Sequence, residues 1–442
     1  MFRRIISSAL IGLLTFPALC QTWTLEDCVH YALENSAEVK KQSYSIEREK
    51  LTLQEGKWAF VPKLSVSSSY TMSTGRVLDP TTYQFVSTKY TGNSNTSISG
   101  DITLFEGGKK IHTLSKAKLS LKAAVIKDES VKRNLQIQII GAFMDVLCAK
   151  EQILIAEETK AINETQLDRT LNLFKAGVVP ETEVLQLQTK LSAADKDISS
   201  ANHTYQMARL TLCDLIGWED YMHFEVEKAP EPLSDDIEWD LNAVLEGHPE
   251  IRSLEVQKNL AELNRKLALS AISPRLSLSA GLGTSYSDAR QKTIVTEEGM
   301  LKYDAYPFFQ QYADNRSAFV SFSLSIPILN GLTTRNGIKR AKIAIKETEL
   351  NGVETRRKIR KQLIQAKMDC FSAREQYFLS INETHYAEEA FKQVERKYNL
   401  GAVDFLTWNT AAVELAKSQY SLAEAKYTYY LKLEILNLYR YF

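Results

Sequence analysis

The chain has 442 residues, and its 54 basic and 54 acidic side chains give a formal net charge of zero. This balance excludes nucleic acid as the main partner, because proteins that bind it need an excess of positive charge to neutralise phosphates. With 44% hydrophobic residues and only 10 prolines and 18 glycines, the composition indicates long uninterrupted elements in a chain large enough for two or three domains.

The N-terminal segment has the features of a secretory signal. Two arginines precede an apolar run over residues 5–19, and a positive start followed by a short apolar core is typical of an exported protein. The run is shorter than the ~20 residues of a membrane-spanning helix. We therefore predict a signal peptide at residues 1–20 with cleavage before Gln21, and lipidation of Cys20 is the alternative.

The first repeat is predicted at residues 21–218. It opens with a helical segment, continues with two alternating strands, and ends with two long helical patterns, the first of which follows Gly108. The predicted strands lie at about 62–72 and 97–105, and the long helices at 109–175 and 181–216. The polar, tyrosine-containing stretch 71–96 is predicted to be a loop on the cell exterior.

A linker at 219–237, which holds two prolines and has no helical period, separates this repeat from a second one at 238–442. The second repeat has the same order of elements and a longer predicted loop, 287–317. Its strands are predicted at about 274–284 and 318–327, and its long helices at 333–398 and 404–440. The four cysteines of the mature chain lie far apart, either as buried thiols or in disulfides: Cys28, Cys148, Cys213 and Cys370.

Helical patterns of this length need neighbours along their whole extent, since a helix of about 65 residues is about 100 Å long. The segment after Pro180 carries the seam of a coiled coil, with apolar or small residues at 184, 187, 191, 194, 198, 201, 205, 208, 212 and 215. The last segment has two seams, which predicts neighbours on both sides: Val413, Ala416, Tyr420, Ala423, Tyr427 and Tyr430, and Leu415, Leu422, Tyr429, Leu433 and Leu436.

All four predicted strands alternate between an apolar face and a small polar face that is mostly serine. The apolar faces are Leu64/Val66/Tyr70, Ile98/Ile102/Leu104, Leu276/Leu278/Leu282 and Val320/Phe322/Leu324/Ile326. About 10 residues per strand is the length that crosses a bilayer in a β-barrel. Because so few strands cannot close a barrel and lipid tolerates no open edge, the pattern predicts closure by several chains. A soluble sandwich is the alternative.

In this order, the features resemble the TolC-like outer-membrane efflux factors over essentially the whole mature chain. The resemblance rests on the two reversal phrases around Gly177 and Gly401 and on a phrase before each first strand, Asn35-Ser36-Ala37-Glu38 and His248-Pro249-Glu250. It implies a mainly α protein with a membrane β-barrel, in which a homotrimer contributes four strands per chain to a twelve-stranded barrel continued by a long periplasmic α-helical barrel. It also implies three kinds of partner: outer-membrane lipid, a periplasmic membrane-fusion adaptor, and an inner-membrane transporter that is proton-driven or ABC.

The resemblance assigns the two helix reversals to the periplasmic tips. The implied tip and adaptor contacts are Gly177, Val178, Val179, Pro180, Gly401, Ala402 and Val403, and the gate candidates are Thr182, Glu183, Tyr398, Asp404, Thr407 and Thr410. Val403 replaces the family's arginine, and Thr407 and Thr410 replace the acidic residues of its best-known members. For Asp404 a helix N-cap is the alternative role. Both glycines are predicted to adopt the left-handed conformation that ends a helix.

The sequence carries no recognised catalytic or cofactor motif. Residues 106–110, EGGKK, lack the spacing of a phosphate loop, and HExxH, GxSxG and Cys/His clusters are absent. We therefore predict no enzyme activity, cofactor or metal, and instead a passive exit duct of tripartite efflux or type I secretion in the outer membrane of a Gram-negative bacterium, extending into the periplasm. The alternative is a structural coiled-coil envelope protein without a channel, and the serine faces of the strands favour the duct.

Overall fold

The computed structural model describes residues 22–78, 83, 85–228 and 240–440. The predicted signal peptide and Cys20 lie outside these residues, as do positions 229–237 of the predicted linker. The helices are α1 (Leu25–Asn35), α2 (Ala37–Trp58), α3 (Lys109–Lys175), α4 (Glu181–Ile216), α5 (Leu241–Gly247), α6 (Pro249–Ser270), α7 (Phe308–Asp314), α8 (Thr333–Asn399) and α9 (Phe405–Arg440). The strands are β1 (Thr22–Trp23), β2 (Lys63–Leu78), β3 (Phe85–Glu106), β4 (Glu225–Val226), β5 (Arg275–Ser287), β6 (Gln291–Val295), β7 (Leu301–Ala305) and β8 (Ser317–Ser325).

The long helices lie where the sequence predicted them. α3 and α4 occupy the predicted ranges, and α8 ends and α9 begins one residue later than predicted. Glycines explain this agreement, because Gly177 and Gly401 both have φ +73°, a conformation that ends a helix and that other residues rarely adopt. Among the described helices, none is both long enough and apolar enough to cross a membrane.

The coiled-coil seams are buried as predicted except at Val413, at the start of one seam of α9, which is 50% exposed. Every one of the ten seam positions of α4 is buried or half-buried, and α9 buries residues of both of its seams, including Tyr427 and Tyr429. A 3-4 spacing of apolar residues therefore identified the packed faces correctly.

The two phrases that precede the first strand of each repeat are helix caps. Ser36 Oγ accepts a hydrogen bond from the Glu38 backbone N–H at 3.3 Å, where α1 ends and α2 begins. Nδ1 of His248 accepts from the Glu250 backbone N–H at 3.2 Å, between α5 and α6. A hydroxyl in one repeat and an imidazole in the other thus satisfy the first amide groups of equivalent helices.

Four strands form an antiparallel sheet in the order β2-β3-β5-β8. Two predictions were wrong here. β2 and β3 pair as far as Leu78 and Phe85, so most of the predicted loop 71–96 is strand, because its threonines, valines and tyrosines favour the ladder. The second predicted loop, 287–317, contains α7 and the antiparallel hairpin β6–β7, whose turn includes Gly299 at φ +74°.

The register of the sheet places the apolar residues together on one face. Val66 pairs with Ile98, and Ile98 pairs with Leu282. On the other face, Ser65 and Ser67 form hydroxyl–hydroxyl bonds of 3.2 and 2.9 Å with the serines opposite them on β3. A bulge between Thr103 and Phe105 makes Phe105, rather than Leu104, the partner of Leu276, so the strict alternation along β3 is interrupted at that end.

Two compact units divide the chain differently from the sequence repeats. One consists of the described parts of Met1–Tyr44, Ile126–Arg252 and Val353–Phe442, and the other of Ser45–Val125 and Ser253–Gly352. Each unit therefore takes segments from both repeats. The first holds an apolar core that includes Cys28, Phe143 and Leu212, and the second holds the four-stranded sheet.

Candidate functional site: the two helix reversals

The first reversal joins α3 to α4 through a Schellman motif. The N–H of Gly177 donates to the Phe174 carbonyl and the N–H of Val178 to the Leu173 carbonyl, both at 2.9 Å. These two bonds satisfy the last carbonyls of α3, and the left-handed glycine turns the chain back. Pro180 then stands at the N-cap of α4 with extended backbone (φ −75°, ψ 156°).

The second reversal, between α8 and α9, has the same geometry. The N–H of Gly401 donates to the Tyr398 carbonyl at 3.0 Å, and that of Ala402 to the Lys397 carbonyl at 2.9 Å. Oδ1 of Asp404 accepts from the Thr407 backbone N–H at 3.0 Å and from Thr407 Oγ1 at 2.6 Å. These bonds lower the pKa of Asp404 and identify it as the N-cap of α9.

Large apolar side chains are exposed around the two turns. Val178 is 67% exposed, and Leu400 and Leu406, which flank the second turn, are 85% and 69% exposed. Val179 and Val403 are half-buried. The sequence predicted apolar tips but missed the two leucines, which have no seam spacing to mark them. Exposed apolar groups grouped at two equivalent turns are typical of a surface that another protein covers.

An aromatic cluster lies directly behind the turns, where α8 and α9 pack together. Trp408 is 1% exposed, and its ring stacks on those of Tyr398 and Phe405 at centroid distances of 5.8 and 5.9 Å. Phe391 and Leu187 belong to the same buried cluster. Sequence reasoning missed Trp408, although a tryptophan in the first turn of a helix that starts beside a glycine turn is a usable signal.

Hydrogen bonds between α3 and α8 hold this cluster against the first repeat; we call them the α3–α8 contact. The hydroxyl of Tyr398 is hydrogen-bonded to the side chains of Thr170 and Gln166, and burial raises its pKa. Nη2 of Arg169 donates to the Asn399 carbonyl at 2.6 Å. Tyr398, which the resemblance implied as a gate residue, is thus half-buried among helices of its own chain.

The remaining gate candidates lie near the N-termini of α4 and α9. Thr182, Thr407 and Thr410 are exposed, and Glu183 is half-buried with its charge close enough to act on the Tyr398 hydroxyl. The Thr410 hydroxyl donates to the Leu406 carbonyl of its own helix at 2.9 Å. The structure therefore brings Glu183 and Tyr398 together, whereas the three threonines remain on the helix surface.

A cleft of about 400 Å³ opens between α3, α4 and α9. Its lining combines small side chains such as Ala194 and Ala412 with polar ones such as Asn163 and Asp197. Among the described residues, no three His, Cys, Asp or Glu side chains are grouped to hold a metal ion.

Comparison with known proteins identifies relatives along both repeats. Outer membrane protein TolC of Escherichia coli is 23% identical over 439 residues, which cover 95% of this chain and 82% of TolC. The pyoverdine export outer membrane protein OpmQ of Pseudomonas putida is 24% identical over 226 residues, 48% of this chain and 45% of OpmQ. The chain thus matches most of the length of TolC but less than half of this OpmQ.

The fold is also that of a solved channel. The CmeC outer membrane channel of Campylobacter jejuni superposes with a TM-score of 0.80 at 16% identity, covering 94% of this chain and 85% of that one. The family described as outer membrane efflux protein matches residues 28–218 and 241–439, which include most of both repeats. The chain therefore belongs to the outer membrane efflux protein family, whose members lie in the outer membrane of Gram-negative bacteria and extend into the periplasm.

Proposed function

We propose that three copies of the chain form an exit duct of a tripartite efflux or type I secretion system. The duct passively conducts substrates that an inner-membrane transporter, proton-driven or ABC, delivers through a periplasmic membrane-fusion adaptor. The four-stranded sheet, with its exposed apolar face and its serine face, is the observation that carries this proposal.

The sheet has two edges, β2 and β8, each paired on one side among the described residues. Its apolar face is exposed, with Val66 at 70% and Phe322 at 69%. Lipid would cover such a face, but it cannot satisfy open strand edges. If β8 of one copy pairs with β2 of the next, three copies close a barrel of twelve strands, and the serine faces line a water-filled lumen.

The helix reversals supply the periplasmic end of the proposal. Val178, Leu400 and Leu406, together with the turns Gly177–Pro180 and Gly401–Val403, form the surface on which the adaptor docks. Opening moves α8 and α9 away from α3, so the α3–α8 contact must break. Glu183 and Tyr398 act at this contact, Thr182, Thr407 and Thr410 face the opening mouth, and Asp404 holds the start of α9 as its cap.

A structural envelope protein without a channel is the competing function. Such a spacer would need the long paired helices, but it has no use for a sheet in which four strands share one exposed apolar face. The proposed duct uses both features.

The number of chains tests the proposal. Light scattering on protein purified from detergent-solubilised outer membranes should give the mass of three mature chains, and brief heating should release the monomer. A stable, folded monomer before heating would contradict the proposed duct, because four strands from one chain leave two edges open in lipid.

A further inference from the structure

Helix α7 lies on the apolar face of the sheet. The Tyr312 hydroxyl is hydrogen-bonded to Ser94 Oγ at 2.7 Å and to Thr96 Oγ1 at 3.0 Å. Between Thr96 and Ile98, β3 pairs with β5 without a bulge, and residues two apart on a regular strand share a face. α7 therefore covers the same face that exposes Ile98 and, opposite it, Leu282.

Several bonds fix α7 in this position. The Gln311 side chain is fully buried; its amide nitrogen donates to the carbonyls of Ser287 and Tyr306, each at 2.9 Å, and its oxygen accepts from the Ser287 N–H at 3.0 Å. Thr284 Oγ1 donates to the Tyr312 carbonyl at 2.7 Å. A buried glutamine with this many partners holds the short helix rigidly against β5.

The side chains on the covered face of β3 and β5 change from apolar to hydroxyl-bearing where α7 lies on it. Beneath the helix lie hydroxyl side chains, Ser94, Thr96 and Thr284, which Tyr312 satisfies. Next to them, toward the strand ends that lead into the long helices, Ile98 is 49% and Leu282 61% exposed. On β3 and β5 the side chains of this face thus change from apolar to hydroxyl-bearing beneath the helix, as they do where a barrel passes from hydrocarbon to headgroups.

Aromatic rings of α7 form a cluster with Tyr286 of β5. Phe308 stacks on Tyr312 at a centroid distance of 4.4 Å and packs against Tyr286 at 4.9 Å. Phe309 contacts Phe308 edge-on at 5.4 Å and is 85% exposed. The exposed ring of Phe309 thus lies beside a ring that is itself packed against β5. Aromatic side chains favour the boundary between acyl chains and headgroups.

We propose that α7 is an interfacial anchor that inserts Phe309 into the acyl–headgroup boundary of the outer leaflet. The inference rests on the proposed barrel, whose apolar face continues directly into α7. A neighbouring copy does not explain the exposed ring, because copies meet at the edge strands β2 and β8, whereas α7 is bonded to the inner strands β3 and β5. Lipid is therefore the occupant of this surface.

Tryptophan fluorescence in vesicles of brominated phosphatidylcholine tests the anchor. The full chain is compared with Phe309→Trp, with Glu298→Trp at the exposed turn of the β6–β7 hairpin, and with Val320→Trp on the apolar face of β8. The extra fluorescence of each variant over the parent is measured with lipids brominated near the carboxyl group or near the chain end. The exposed positions let all three variants fold.

We expect Phe309→Trp to be quenched mainly by bromine near the carboxyl group, Val320→Trp to be quenched by the deeper label, and Glu298→Trp to be unaffected. Quenching of Val320→Trp without quenching of Phe309→Trp would overturn the anchor and leave the barrel intact. Equal quenching at positions 298 and 309 would also overturn it, because the contact would then not belong to α7. Absence of quenching at all three positions would contradict the barrel itself.

Discussion

Nη2 of Arg169 in α3 donates a 2.6 Å hydrogen bond to the carbonyl oxygen of Asn399, the last residue of α8, 230 residues farther along the chain. The final carbonyls of a helix have no partner within it, and a cation at this end is favoured by the helix dipole. A residue of the first repeat therefore stabilises the C-terminal end of α8, in the second repeat, at the point where the chain reverses. We expect this bond to oppose opening of the duct.

Removing the α3–α8 contact should favour the open state. The double variant Arg169→Ala/Tyr398→Phe loses the bond to Asn399 and the bonds of the Tyr398 hydroxyl to Thr170 and Gln166. At about 0.5–1.5 kcal/mol for each hydrogen bond, the loss of two or three shifts the closed–open equilibrium by roughly one to two orders of magnitude. Single-channel recordings should show a larger open fraction.

Lys392→Ala is the matched control for this double variant. Among the described residues, Lys392 forms an ion pair within its own helix, with Glu389 at 2.9 Å, so its loss leaves the α3–α8 contact intact. An open fraction equal to that of the parent in the double variant, or an equal increase in the control, would show that the contact does not restrain opening.

Gly401→Val should abolish export without affecting assembly. Gly401 has φ +73°, and a side chain costs ~1–2 kcal/mol in this conformation, more for a β-branched residue. The change lies at the reversal, far along the chain from the strands, so trimers should form and reach the outer membrane. Gly352→Val, within α8 and in open space among the described residues, is the control. Normal export by Gly401→Val, or its failure to reach the outer membrane, would refute the tip assignment.

The β6–β7 turn should be accessible from outside the cell. An epitope inserted after Gly299, in the turn closed by the 2.9 Å bond from the Thr296 N–H to the Met300 carbonyl, should be labelled by antibody on intact cells. The same epitope after Val178 should be labelled only once the outer membrane is permeabilised. The reverse pattern would invert the proposed topology.

Acid should destabilise the helical part through His248. Burial, together with the charge of Arg133, lowers the pKa of His248 to about 4 from its ordinary value of 6.5, and its neutral Nδ1 caps α6. Between these two pH values the unfolded chain binds more protons than the folded one, so stability falls as the pH falls from about 6.5 to about 4, by up to ~3 kcal/mol. Above pH 6.5 the residue contributes no pH dependence.

His248→Asn tests this assignment, since asparagine can cap a helix but does not titrate. Thermal unfolding followed by helical circular dichroism should show a smaller loss of stability between pH 6.5 and 4 in the variant than in the parent. All groups other than residue 248 are the same in both proteins, so their contributions to the pH profile cancel in the comparison. Identical pH profiles would mean that His248 is not the group responsible.

The sequence was sufficient to predict where the long helices begin and end, because these bounds depend on residues close to them in the chain. Gly177 and Gly401 end α3 and α8 by their own backbone preference, and the apolar spacing identifies the packed faces of α4 and α9. The predicted bounds of β2 and β3 were wrong because threonine and tyrosine are compatible with both a polar loop and a strand. Pairing across the sheet, which the local sequence does not show, makes these residues part of the strands.

Other parts of the site depend on contacts between distant segments. The bonds of Tyr398 to Thr170 and Gln166, and of Arg169 to Asn399, join residues more than 200 positions apart, and no local period encodes such partners. The sequence also failed to predict α7, because seven residues are too few to show a helical period. This helix is held by the side chain of Gln311, which is bonded to Ser287 on β5 and to Tyr306 just before α7.

Conductance across a planar bilayer tests the central claim most directly. Purified trimer added to one side should produce discrete, stepwise current increments, and the Arg169→Ala/Tyr398→Phe variant should remain open for longer after each step. If both proteins insert into the bilayer as trimers and the current stays at its baseline, the chain does not form a duct, and the structural envelope role is the correct one.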